Sequence, residues 1–139
     1  MVSKNEYEVL ANFRYELRKF LRFSEREAKK KGLAAQQYLA LLAIEGFPGK
    51  RRVSIGELAE RLQIAPHSTV GLVDRLESAK LVARVYSIED RRRVYVQLTT
   101  KGRQQLEALT AAHRHELQTA GPLLTKLLKR VVYPKASTG

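Results

Sequence analysis

The chain has 139 residues and 44% of them are hydrophobic, enough for one compact domain with a true core, which excludes wholesale disorder. Lysine and arginine number 26 against 14 aspartates and glutamates, a net charge of +12, so a polyanionic partner is expected, and duplex DNA is the commonest one for a small basic domain. The absence of cysteine excludes disulfides, thiolate zinc sites and thiol redox sensing; with no apolar run near the roughly 18 residues that span a bilayer and a polar Met1–Glu8, a cytoplasmic protein without a secretory signal is expected.

From Asn5 to Lys31 the apolar residues Tyr7, Leu10, Phe13, Leu17, Phe20 and Leu21 recur in steps of mostly three and four, which predicts a long amphipathic helix ended by Gly32. A second helix runs from about Ala34 to Glu45. Gly46-Phe47-Pro48-Gly49 then breaks the chain, followed by the basic run Lys50-Arg51-Arg52. Ser54 and Glu57 form a capping box at the start of a short helix, Ile55–Leu62. A three-residue turn, Gln63 to Ala65, leads to Pro66, suited to the first position of a helix reaching about Ala79 with Val70, Val73 and Leu76 inward. The period then drops to two: Val94, Val96 and Leu98 mark a half-buried strand that Leu81–Tyr86 can pair with, leaving a charged loop, Ser87–Arg93. Lys101 to about Ala120 is helical again. Gly121-Pro122 is expected to interrupt it before a last amphipathic helix bearing Leu123, Leu124, Leu127, Leu128, Val131 and Val132.

Two short helices joined by a three-residue turn and followed by a β-hairpin describe a winged helix-turn-helix, in which the first helix props the second so that it can lie in a major groove. The exposed face of the second helix carries His67, Ser68 and Thr69 in its first turn, then Gly71 and Arg75, chemistry suited to phosphates and base edges. Asp74 on the same helix would repel phosphate and is expected to pair with an arginine. Arg52 and Ser54, ahead of the first helix, join the candidate contacts. At the hairpin tip Arg91, Arg92 and Arg93 can enter a narrow minor groove, while Asp90 accepts from Arg92 and fixes its guanidinium.

The stretch Ser54–Gly102 resembles the MarR family of bacterial and archaeal transcription regulators. The matching segments are Ile55-Gly56-Glu57-Leu58-Ala59-Glu60-Arg61-Leu62, Thr69-Val70-Gly71-Leu72-Val73-Asp74-Arg75-Leu76, Leu81-Val82-Ala83-Arg84, Asp90-Arg91-Arg92 and Val96-Gln97-Leu98-Thr99-Thr100-Lys101-Gly102. The resemblance implies a triangular homodimer on a pseudo-palindromic operator, usually as a repressor, with Asp90 and Arg92 anchoring the wing. It also implies a small-molecule pocket for an aromatic or anionic effector, for which Phe13, Arg14, Tyr38 and His113 are the candidates. The family usually has glycine after the recognition helix; Lys80 stands there, at an expected cost of roughly 1 kcal/mol for a left-handed backbone.

The expected fold is therefore mainly α with a small β-hairpin wing. A single MarR-like domain spans 1–139, with a winged helix-turn-helix lobe over 34–100 and long dimerisation helices over 5–31 and 101–133, whose apolar faces exceed what a monomer this small can cover. No cofactor or metal site is expected: His113 and His115 fall on different sides of a helix, and no catalytic arrangement is visible. The expected function is sequence-specific duplex-DNA binding in transcription regulation, not catalysis. A nonspecific architectural DNA-binding protein and a winged-helix protein-interaction module are the alternatives.

Overall fold

The computed structural model describes residues 1–134; the final residues of the expected domain, 135–139, lie outside the described residues. Among the described residues five helices and three strands follow in the order α1 (Lys4–Lys30), α2 (Ala35–Glu45), β1 (Arg52–Ser54), α3 (Ile55–Leu62), α4 (Pro66–Ser78), β2 (Val82–Tyr86), β3 (Val94–Leu98) and α5 (Thr100–Val132). The chain divides into two compact units: Ala28–Leu109, and Met1–Glu27 together with the segment from Thr110 onward.

The first unit is a winged helix-turn-helix, as expected, but its sheet has three strands in the order β1-β3-β2, all antiparallel. The added strand is Arg52-Val53-Ser54, three residues too short to show alternation. Val53 is completely buried while Arg52 is exposed. Leu41, Ile44, Leu58, Leu72, Val73, Leu76, Leu81, Val96 and Leu98 form the core, and Ala28, Leu106 and Leu109 complete it. The unit thus reaches beyond residues 34–100 at both ends.

Helix boundaries follow local chemistry. The Ser54–Glu57 capping box is reciprocal: the Glu57 amide donates to Ser54 Oγ at 3.1 Å, and the Ser54 amide donates to Glu57 Oε1 at 3.0 Å. Pro66 opens α4 at its first position. At the other end Lys80 holds φ 62°, and the Leu81 amide donates to Leu76 O (3.0 Å) while the Lys80 amide donates to Glu77 O (2.9 Å). This is the paired-bond ending in which glycine is usual, formed here by lysine. Two side chains from the far side of the hairpin reinforce it: Thr99 Oγ1 donates to Lys80 O at 2.7 Å, and Lys101 Nζ to Ala79 O at 3.1 Å. Lys80→Gly should stabilise the fold by about 1 kcal/mol, because only the left-handed backbone penalty is removed. An unchanged or lower urea midpoint would contradict this.

Two expectations are corrected. Gly121-Pro122 does not split the C-terminal segment; α5 continues through Pro122 to Val132. Pro122 lies on an exposed flank, where water can take the carbonyl that loses its partner. The inward face of α4 is also set one residue differently: Thr69, Leu72, Val73 and Leu76 are buried, whereas Val70 is 40% exposed.

In the other unit His113 is buried, with Nε2 2.7 Å from Ser24 Oγ and edge-on contacts to the rings of Phe20 and Phe23. Val9 and Leu127 are buried too. Tyr7, Leu10, Leu21, Leu117, Leu123, Leu128, Val131 and Val132 stay exposed, an apolar surface large for so small a unit.

Candidate nucleic-acid interface

The candidate contacts around α4 and the wing all belong to the unit Ala28–Leu109. Ala65 precedes α4 and has no side-chain oxygen to cap it. The amides of His67 and Ser68 are therefore left for water or an anion at the positive end of the helix dipole. His67 and Ser68 are exposed, as is Arg75 about two turns on. Thr69 is not available: it is completely buried, and its Oγ1 donates back to Ala65 O at 3.0 Å. Val70 takes the exposed position expected of Thr69. Because valine and threonine have nearly the same shape, polarity alone points to the wrong one. Gly71 is partly covered, with Arg75 Nη1 3.6 Å from where a Cβ would stand.

Asp74 is exposed, and its expected arginine partner is Arg84 of β2. Arg84 Nη2 donates to Asp74 Oδ1 at 2.6 Å and Nη1 to Glu77 Oε1 at 2.7 Å, while the Arg84 amide reaches Glu77 Oε2 at 3.3 Å. Partial burial works against the guanidinium charge. The bonds from Asp74 and Glu77 outweigh it and push the Arg84 pKa above its ordinary value. One cation is thus shared by two carboxylates of α4 and offsets one of their two charges. The sequence implies an arginine partner for Asp74, but strand position alone does not single out Arg84.

The wing is a tied loop. Ser87 N donates to Arg93 O (3.0 Å), Arg93 N to Asp90 O (2.9 Å) and Asp90 N to Ser87 Oγ (3.2 Å). Asp90 Oδ1 accepts from both the amide (3.0 Å) and Nε (3.2 Å) of Arg92, the bond expected from the spacing. Arg91, Arg92 and Arg93 are all exposed. An open groove runs between the wing and the start of α3, with Lys50, Ser54, Gly56, Val70, Arg92 and Tyr95 among its walls. The Arg52 guanidinium lies 5.0 Å from the Tyr95 ring centroid, a cation–π contact that holds it beside the groove. Ser54 Oγ already accepts from Glu57 but keeps a proton to donate. Lys50 Nζ bonds Glu57 at 2.8 Å, and this bond, with that from the Ser54 amide, lowers the Glu57 pKa, so the carboxylate stays charged and paired.

The four effector candidates fall in different settings. Tyr38 is buried in the core of the winged unit, and burial raises its hydroxyl pKa. His113 is buried in the other unit, where Phe13 is half-buried and Arg14 is exposed on a shallow groove of α1 with Leu17, Arg18, Leu21 and Arg22. Among the described residues no His, Asp or Glu cluster could hold a metal, and no helix is long and apolar enough to cross a membrane.

Residues 31–93 match the MarR family. The HTH-type transcriptional repressor MdtR of Bacillus subtilis (strain 168) is 31% identical over 62% of this chain and 54% of its own length. The chain spans about half the length of the curated relatives it matches. Among solved structures, AbsC, a MarR family transcriptional regulator from Streptomyces coelicolor, superposes with a TM-score of 0.76 at 19% identity, covering 96% of this chain and 93% of that one. The S. aureus MepR–DNA complex gives 0.69 at 20% identity, covering 88% and 85%.

Proposed function

The winged-helix lobe of this chain is that of the MarR family of transcription regulators, and from that premise we propose that the protein is a sequence-specific, duplex-DNA-binding repressor acting as a homodimer. The observation that carries the reading is one unit presenting an uncapped helix start with exposed His67, Ser68 and Arg75, its carboxylates paired with Arg84, beside a tied loop of three exposed arginines. On this reading α4 lies in the major groove, where Ser68, His67 and Arg75 meet base edges and the helix-start amides meet phosphate. Arg91–Arg93 enter the flanking minor groove, and Arg52 and Ser54 add backbone contacts.

The exposed apolar residues of the terminal unit support pairing of two chains. Two symmetric recognition helices would place the half-sites of a pseudo-palindromic operator roughly 34–36 Å apart. Repression follows from occupancy, and the similarity to MdtR, a repressor, supports it. The groove of α1, with Arg14, Arg18 and Arg22 over a leucine floor, supports a small effector with an acid group and an apolar or aromatic body. Thiol chemistry is not available to such a switch, since the sequence has no cysteine. A cytoplasmic location follows from the proposed target.

The test is a titration of a selected palindromic duplex against random duplex across salt concentrations, repeated with aromatic acids. Parent protein should prefer the selected site at two chains per site. Arg92→Ala should weaken both and reduce the slope of log K against log salt by about one unit. Equal affinity for both duplexes would replace the regulator by a nonspecific DNA-coating protein, a role the net charge of +12 would also serve. No binding to either would leave a protein-interaction module.

A further inference from the structure

We infer that the wing carries an apolar wedge: Ile88 enters the minor groove beside the arginines and opens one base step, so that the protein bends its DNA. The inference rests on the DNA-binding reading above. Ile88 is 101% exposed, more so than any other large hydrophobic residue among those described apart from Met1. Scattered apolar side chains are ordinary on a surface, but this one has an unusual setting. It stands in the loop that carries Arg91, Arg92 and Arg93, all exposed, and the exposed Tyr86 lies two residues before it.

The loop is closed by five bonds among Ser87, Asp90, Arg92 and Arg93. It therefore presents the isoleucine outward and does not let it fold back onto the sheet. The arginines draw this tip toward a polyanion. Inside a groove walled by phosphates, the apolar surface open to an isoleucine is the face of a base exposed by partial unstacking. Wedges of this kind kink duplexes by about 20–90°. Unstacking costs least at pyrimidine–purine steps, so the wedge also predicts a preference for those steps in the flanks, at positions where no side chain donates or accepts a hydrogen bond.

The experiment uses the full chain and a duplex recovered by in vitro selection with it, dye-labelled at both ends so that energy transfer reports bending. Parent protein should bend the duplex and enrich pyrimidine–purine steps under the wing. Ile88→Ser should lose most of the bend and the flank preference, with affinity down by about three- to ten-fold and an unchanged salt slope, since no phosphate contact is removed. Ile88→Leu should keep the bend. A serine variant that bends and selects like the parent, or a straight parent complex, overturns the wedge while leaving DNA binding intact. A parent that binds no duplex overturns the DNA reading, and the wedge with it.

Discussion

Gly102→Ala should be among the most destabilising single-methyl additions in this chain, lowering stability by about 3 kcal/mol or more. A Cβ at residue 102 would stand 2.1 Å from the carbonyl oxygen of Leu81 and 3.0 Å from its carbonyl carbon, against 3.4–4 Å for ordinary contact. The opposing atoms are backbone, so no side-chain rotation relieves the clash. Nor can that backbone easily move. Leu81 O accepts from the Thr99 amide at 3.0 Å, the Leu81 amide closes the end of α4 on Leu76 O, and the residue is 1% exposed. This one glycine lets the first turn of α5 press on the link between α4 and β2. Any relief must shift the helix end, the wing strand or α5.

Urea unfolding should show the midpoint down by more than about 1 M for a domain of this size, with the slope unchanged. A midpoint equal to the parent's would mean that the helix start yields without strain. Gly71→Ala is the control. Its Cβ meets only Arg75 Nη1 at 3.6 Å, and alanine in a helix interior is favoured over glycine by up to about 1 kcal/mol.

What the sequence discloses here is mainly what chain-local chemistry decides. The Ser54–Glu57 box and the Asp90–Arg92 bond join residues three and two apart, and Pro66 acts at its own position, so local spacing alone implies them. Where it misleads or stays silent, the cause is mostly a partner far along the chain. Lys80 keeps a left-handed backbone because residues 99 and 101 arrive to take the helix-end carbonyls. Val53 becomes a strand because β3 offers Val96 opposite it. Thr69 reads as a polar contact until its hydroxyl is seen returned to Ala65 O, after which the face of α4 proposed to meet DNA carries Val70 in its place. The same limit applies to Arg84, which becomes important only once β2 is laid against α4.

Replacing Arg84 by alanine should lower DNA affinity by about thirty-fold at low salt, although Arg84 is not itself placed among the DNA contacts. Its guanidinium, 18% exposed, is shared between Asp74 and Glu77. Without it both carboxylates stand uncompensated on the face proposed to meet phosphate, and Asp74 is 61% exposed. One unbalanced charge about 8 Å from a phosphate costs about 2 kcal/mol at an effective dielectric constant near 20, and salt reduces it. The loss of fold stability should be smaller, about 1 kcal/mol, because both carboxylates regain water. Two causes of weaker binding are then open: unmasked repulsion, or a recognition helix set at a different angle to the sheet. Adding Asp74→Asn and Glu77→Gln to Arg84→Ala separates them. Repulsion predicts that the triple variant recovers most of the affinity, since the offending charges are gone. A triple variant as weak as the single one would assign Arg84 to holding α4 in place, and an Arg84→Ala variant that binds like the parent would remove both roles.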